Sequence, residues 1–290
     1  MRTLVTADLH FDIERSIGPT RDLARAMLDQ GGDALLIVGD VCGVRLEPLS
    51  ECLGLFGPFG GTKMFVAGNH DIWVREGADS LLRYEVELAG ACRAAGFQYL
   101  DEAPVLLGDV GFVGSVGWYD YSFRDPALAI PMAFYEAKIG PGYAAALQGQ
   151  WAKLFDGTSD LSREALGINL RWMDGAYVRL PFGDAEFTER LADKLRRHLG
   201  EIEPRSRTIV AAVHHLPFGD LVERNSSPAW NFGNAFMGSE RLGEVLLAEP
   251  KVRHVFCGHS HRPGVMTRGA LSCVNVGSTY TTKRFESLEI

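Results

Sequence analysis

At 290 residues the chain is long enough for one large α/β domain or two small ones, and it buries a core easily. Its 37 acidic and 29 basic residues leave a formal charge of −8, which argues against a general nucleic-acid binder, since such affinity comes from Lys and Arg neutralising phosphates. No Lys/Arg run and no apolar run of about 18 residues suggests a membrane partner, and the five cysteines, lacking framework spacing, read as buried free thiols of a reducing cytoplasm.

The first predicted strand, Leu4 to Ala7, runs into Asp8-Leu9-His10. Gly18-Pro19-Thr20 is expected to open a helix carrying Leu23 and Met27 on one face. Ala34 to Val38 is a continuous apolar run, the mark of a strand buried on both faces, and it ends in Gly39-Asp40. A short helix with Leu49, Cys52, Leu53 and Phe56 follows. The third strand, Met64 to Ala67, ends in Gly68-Asn69-His70-Asp71. A helix from about Ser80 to Ala95 leads to an extended stretch, Phe97 to Leu100. Val105–Leu107 and Val110–Ser115 read as a hairpin around Gly108-Asp109. The β-α-β-α-β order implies a parallel sheet, and each polar cluster lies at the strand edge where open α/β sheets bind ligands.

Residues 117 to 182 break this rhythm with many aromatics, among them Trp118, Tyr119, Phe134, Tyr135 and Trp172. The segment is too apolar for a disordered linker, so it reads as an insertion or cap within a single domain spanning 1–290. Whether it is a surface elaboration or a lid over a pocket stays open at this point. Asp184 is expected to cap a helix bearing Phe187, Leu191, Leu195 and Leu199, with His198 at its surface or end. The strand Thr208 to Val213 ends in His214-His215-Leu216-Pro217, and the segment 225–237, with Trp230 and Asn231, is a candidate pocket wall. Ser239 begins a further helix. The strand His254 to Cys257 delivers Gly258-His259-Ser260-His261, and two strands, Gly264 to Thr267 and Leu271 to Val276, are expected to close the chain.

Five strand ends therefore carry Asp8/His10, Asp40, Asn69/His70, His214 and His259/His261. Any one of these has an ordinary structural reading, such as a helix cap or a satisfied polar core residue. Together they form a mixed carboxylate, amide and imidazole set, which suits manganese, iron or zinc. The motifs Asp8-Leu9-His10, Gly39-Asp40, Gly68-Asn69-His70-Asp71, the strand-end His214 and Gly258-His259-Ser260-His261 resemble, in kind and order, those of the calcineurin-like metallophosphoesterases. Leu216-Pro217 departs mildly from the Pro-Pro often found in that family.

The resemblance implies a four-layer α/β sandwich, two central mixed β-sheets flanked by helices, with the aromatic-rich insertion outside the shared pattern. It implies two divalent or trivalent metal ions (Mn, Fe or Zn). Asp8, His10, Asp40 and His261 would hold one; Asp40, Asn69, His214 and His259 the other, with Asp40 bridging. It further implies attack on phosphorus by a hydroxide between the metals, with His70 as general acid oriented by Asp71. His215, Arg124, Trp230 and Asn231 are candidate substrate contacts, His215 being equally a packing residue.

The expected function is thus a dinuclear phosphoesterase acting on a small phosphodiester or nucleotide. A phosphomonoesterase or protein phosphatase is the alternative within the same chemistry. A catalytically silent scaffold of the same fold has no need of His70 or the whole ligand set, and this sequence keeps all of them. The acidic charge lowers the expectation of a nuclease.

Overall fold

The computed structural model describes residues 1–147, 149–156 and 161–290, so positions 148 and 157–160 of the expected insertion lie outside the described residues. Strands β1 (Arg2–Thr6), β2 (Ala34–Val38), β3 (Thr62–Val66), β4 (Gln98–Tyr99), β5 (Val105–Leu107), β6 (Val110–Ser115), β7 (Thr208–Val213), β8 (Val252–Cys257), β9 (Gly264–Arg268), β10 (Leu271–Asn275) and β11 (Phe285–Glu289) build two sheets. The first has order β11-β1-β2-β3-β4, with β11 antiparallel to β1 and the rest parallel. The second has order β5-β6-β7-β8-β10-β9, parallel in the middle and antiparallel at both edges.

The period-two alternation of each strand sorts its side chains into layers. Val5, Leu36, Val38, Met64 and Val66 join Phe112, Val210, Ala212 and Phe256 in one buried cluster between the sheets. Their neighbours Leu4, Leu35, Ile37 and Phe65 turn outward onto the helices Glu14–Gln30, Glu47–Leu55 and Leu88–Ala94. On the second sheet Ile209, Ala211, Val213 and Val255 turn outward, onto Leu195 and Leu199 of the helix Asp184–Ile202 and Leu242 and Leu246 of the helix Glu240–Leu247. The result is the expected sandwich of helices, sheet, sheet and helices. The parallel strands β1, β2, β3, β7 and β8 all deliver their following loops to one edge, where the polar motifs lie.

Four expectations need correction. The first helix starts at Glu14, a turn before Gly18, and carries Pro19 inside it. The last strand is β11, which completes the first sheet from the C-terminal segment. It was hidden because Phe285-Glu286-Ser287-Leu288-Glu289 is a half-exposed edge strand without an apolar run. Asp184 does not cap its helix; its carboxylate instead accepts from Trp118 Nε1 at 2.7 Å, from Tyr121 and from Lys138 Nζ at 2.5 Å. His198 is buried, not at the surface.

Within the described part of the 117–182 segment, Trp118, Tyr119, Phe134 and Tyr135 are buried in the same cluster as the first sheet's outer face. All five cysteines are buried and free. Among the described residues no helix is long and apolar enough to cross a membrane.

The fully buried Phe112 sits in the layer between the sheets, so Phe112→Ala leaves a cavity with no solvent to fill it. A loss of about 3–5 kcal/mol is expected in urea unfolding. A loss below about 1 kcal/mol would mean that the two sheets do not share this layer as described.

Candidate metal centre

The loops after the strands carry strained backbone where the polar side chains converge. Asp8, His10, Asp40, His259 and His261 account for five of the eight non-glycine residues with positive φ among those described. Asp and His tolerate this region better than most residues, and such strain gathers at functional sites. Glycine makes the close approach possible: a Cβ on Gly258 would stand 2.6 Å from Asp8 Oδ2, and one on Gly68 would run into the Asp40 carboxylate.

Two clusters of ligand atoms result, each with its atoms within 4.8 Å of one another: Asp8, His10, Asp40 and His261, and Asp40, His214 and His259. Asp40 belongs to both. Its Oδ1 lies 3.4 Å from His214 Nε2, and its Oδ2 lies 3.7 Å from His10 Nε2. His10 Nε2 and His261 Nε2 are 3.1 Å apart, close to the spacing of two donors each about 2.0–2.2 Å from one ion. Asn69 is buried at the same edge.

Buried polar atoms nearly always find partners. Among the described residues Asp8 Oδ2, Asn69 Oδ1 and His259 Nδ1 are buried with no hydrogen-bond partner, and His214 Nε2 faces the Asp40 carboxylate alone, which is the condition expected of atoms that would bind cations. Their other atoms are fixed from behind. His214 Nδ1 meets Val38 O at 2.9 Å, His259 Nε2 meets Phe236 O at 3.1 Å, and Asn69 Nδ2 donates to Asp174 Oδ1 at 2.9 Å. Partners of this kind set tautomer and ring orientation in metal sites. The donor set therefore fits two cations.

Electrostatics agree. Burial holds the His10 and His259 imidazoles well below their ordinary pKa, so both stay neutral. Burial opposes charge on Asp40 too, but His214, His70 and His10 together hold its carboxyl well below the usual range. Burial likewise disfavours charge on His214, yet Asp40 beside it lifts the imidazole to about 9.

His70 stands next to the clusters without belonging to either. Its Nε2 is 4.0 Å from Asp40 Oδ2, its side chain is 18% exposed, and its ring stacks on Trp73 at 3.7 Å between centroids. Asp71 does not orient it, contrary to expectation. Both Asp71 oxygens are taken by backbone amides: Oδ1 by Val41 and Cys42, Oδ2 by Asp40 and Gly68, at 2.7–2.9 Å.

A cavity of about 560 Å³ opens from Asp40, Asn69, His70, His259 and His261. Leu170, Trp172, Leu221, Val222, Trp230 and Met237 give it a largely apolar wall. Of the expected substrate contacts, Trp230 lines it. The other three do not. His215 is fully buried behind His259, its ring centroid 4.2 Å away. Asn231 is tied up with Asp125 and Asn225. Arg124 Nη1 donates to the carbonyl of Tyr121 at 3.3 Å. The sequence reading missed Tyr280, which lines the cavity, and Asp174, which lies behind Asn69; Trp172, named there only as an aromatic of the insertion, also lines the cavity. Tyr280 packs 4.8 Å from the His10 ring and 5.0 Å from that of His261. No motif marks these three.

Five strand ends gathering such donors around a shared aspartate define the class of a metal-dependent hydrolase of phosphate esters. The family of calcineurin-like phosphoesterases matches residues 1–263, and the chain belongs to it. Among solved structures, a phosphopantetheinyl hydrolase from Mycobacterium tuberculosis is similar at 16% identity, TM-score 0.70, covering 96% of this chain and 89% of that one. A dimetal phosphatase from Danio rerio is similar at 13% identity, TM-score 0.56, covering 99% of this chain and 91% of that one. No match is found among curated proteins.

A cation held by His214 Nε2 would require the neutral ring, whereas Asp40 raises the pKa of the metal-free ring to about 9. Metal binding at pH 7 is therefore expected to release a proton, with affinity climbing as pH rises toward that value. Calorimetric titrations in buffers of different ionisation enthalpy measure this. No proton release at pH 7 would show that His214 does not exchange a proton for a metal.

Proposed function

We propose that the protein hydrolyses a small phosphodiester at a dinuclear centre, one ion held by Asp8, His10, Asp40 and His261 and the other by Asp40, Asn69, His214 and His259. The observation that carries this reading is the division of labour on Asp40, one oxygen toward His214 and the other toward His10. When bound, two such ions would lower the pKa of an attacking water and draw charge from the ester oxygens.

The chain's own groups supply the rest. His70 lines the cavity beside the clusters, which supports the reading that it gives a proton to the leaving oxygen. Trp73 beneath its ring fixes the direction from which it donates. Asp71 serves by position alone, pinning the turn that presents Asp40. The cavity takes the part of the substrate that does not react. Its apolar wall and two tryptophans suit an uncharged or planar group, such as a nucleoside base. Among the described lining residues Arg262 is the one Lys or Arg, and it is paired with Glu223 at 3.4 Å and lies over Trp230. A second phosphate would find no free cation there, which favours a diester of one phosphate over a nucleoside di- or triphosphate. A phosphopantetheinyl ester also belongs among the compounds assayed, because the wall is uncharged and a fold relative bears that name.

His70→Ala is expected to keep both metals and lose about 10²–10⁴-fold in turnover with an alkyl leaving group. The loss should be smaller with p-nitrophenolate, which departs without a proton. Elemental analysis alongside turnover on both leaving groups decides the role. Parallel loss of metal and activity would instead make His70 a prop for a ligand. Bis-p-nitrophenyl phosphate turned over no better than p-nitrophenyl phosphate would contradict the diester assignment.

A further inference from the structure

Asp174 comes from the aromatic insertion, in the short helix Asp174–Tyr177, and is buried to 1% exposure. Its carboxylate meets four donors. Oδ1 accepts from Asn69 Nδ2 at 2.9 Å and Trp73 Nε1 at 2.7 Å; Oδ2 accepts from Trp172 Nε1 at 2.7 Å and the Tyr119 hydroxyl at 3.0 Å. These partners are the amide of a metal-ligand candidate, the indole under His70, a tryptophan of the cavity wall and a core tyrosine.

An asparagine amide has two chemically different ends, and a metal binds only the oxygen. Asp174 offers acceptors alone, so it draws the Nδ2 end of Asn69 toward itself. That leaves Asn69 Oδ1, buried and unpartnered, as the end turned away from the insertion. The backbone fastens the same piece of chain: Val74 N donates to Tyr177 O at 2.9 Å, and Tyr177 packs 4.9 Å from Trp73.

We infer that Asp174 is a positioning residue of the active site: it selects the amide orientation in which Asn69 presents oxygen to a cation, and it holds the Trp73 shelf under His70. The insertion is on this account a working part of the centre. The inference rests on Asn69 being a ligand, as proposed above.

The reciprocal exchange of acid and amide tests it. In Asp174→Asn an N–H2 group must face two of the four donors. Where that group faces Asn69, the amide relieves the conflict by turning its own N–H2 toward the cation, where it cannot ligate. Asn69→Asp alone sets two carboxylates against each other. The double variant Asn69→Asp/Asp174→Asn restores one donor and one acceptor across the Asn69 contact, with an oxygen left for the metal, at the cost of the acceptor that Trp73 Nε1 had.

Manganese affinity and stoichiometry are read on the full chain by titration with Mn²⁺ followed by electron paramagnetic resonance, and folding is read by thermal unfolding. Each single variant is expected to weaken one of two ions by about 10–100-fold, and the double variant to return to within about threefold of wild type. Wild type binding fewer than two Mn²⁺ would remove the dinuclear reading itself. Wild type binding two, with Asp174→Asn binding both equally well, would overturn this inference alone, as would a double variant no better than the singles. If Asp174→Asn does not fold, the double variant decides: folded with two ions supports the inference, unfolded or empty contradicts it.

Discussion

The buried carboxylate of Asp71 is the tie on which the centre depends. It takes four backbone amides, three from the Asp40 turn and one from Gly68, and so fastens the loops after β2 and β3 to each other. A carboxylate that satisfies four amides stiffens a turn that no regular hydrogen-bonding ladder supports. Without it, a residue at φ +55 carrying a buried charge would have little to hold it between two sheets.

Asp40 held in that place joins the halves of the molecule. The first sheet supplies Asp8, His10, Asp40 and Asn69, and the second supplies His214, His259 and His261. Burying this much unpartnered polarity is unfavourable in a metal-free chain, because each orphaned atom has lost water without gaining a partner. Cations bound there would turn that deficit into binding energy. The strained φ values and close glycine contacts follow from the same demand, since the loops must aim side chains back over the edges of their own sheets.

The strands were legible in the sequence wherever physics leaves a local trace, whereas their stacking as a two-sheet sandwich was expected from the family resemblance alone. Ala34 to Val38 is apolar at every position because both faces of β2 are covered. The histidines and aspartates announced themselves because each follows an apolar strand by one or a few residues. What could not be read depends on contacts made far along the chain. β11 is defined by its pairing with β1, not by its own hydrophobicity. Asp184 looked like a helix cap because the local rule is strong, yet it answers to Trp118 and Lys138 from the insertion. Asp174 and Tyr280 gain meaning only when the fold sets them beside Asn69 and His10. Arg124 and Asn231 had the right chemistry for a substrate, but the fold gave them other partners.

The central claim is that one carboxylate, Asp40, serves two metal sites. Metal content of Asp40→Ala, measured by elemental analysis beside His10→Ala after identical loading and desalting, tests it most directly. The account predicts that Asp40→Ala loses both ions while His10→Ala keeps the one held by Asn69, His214 and His259. Equal loss in the two variants, or Asp40→Ala retaining one ion at full occupancy, would contradict a shared carboxylate.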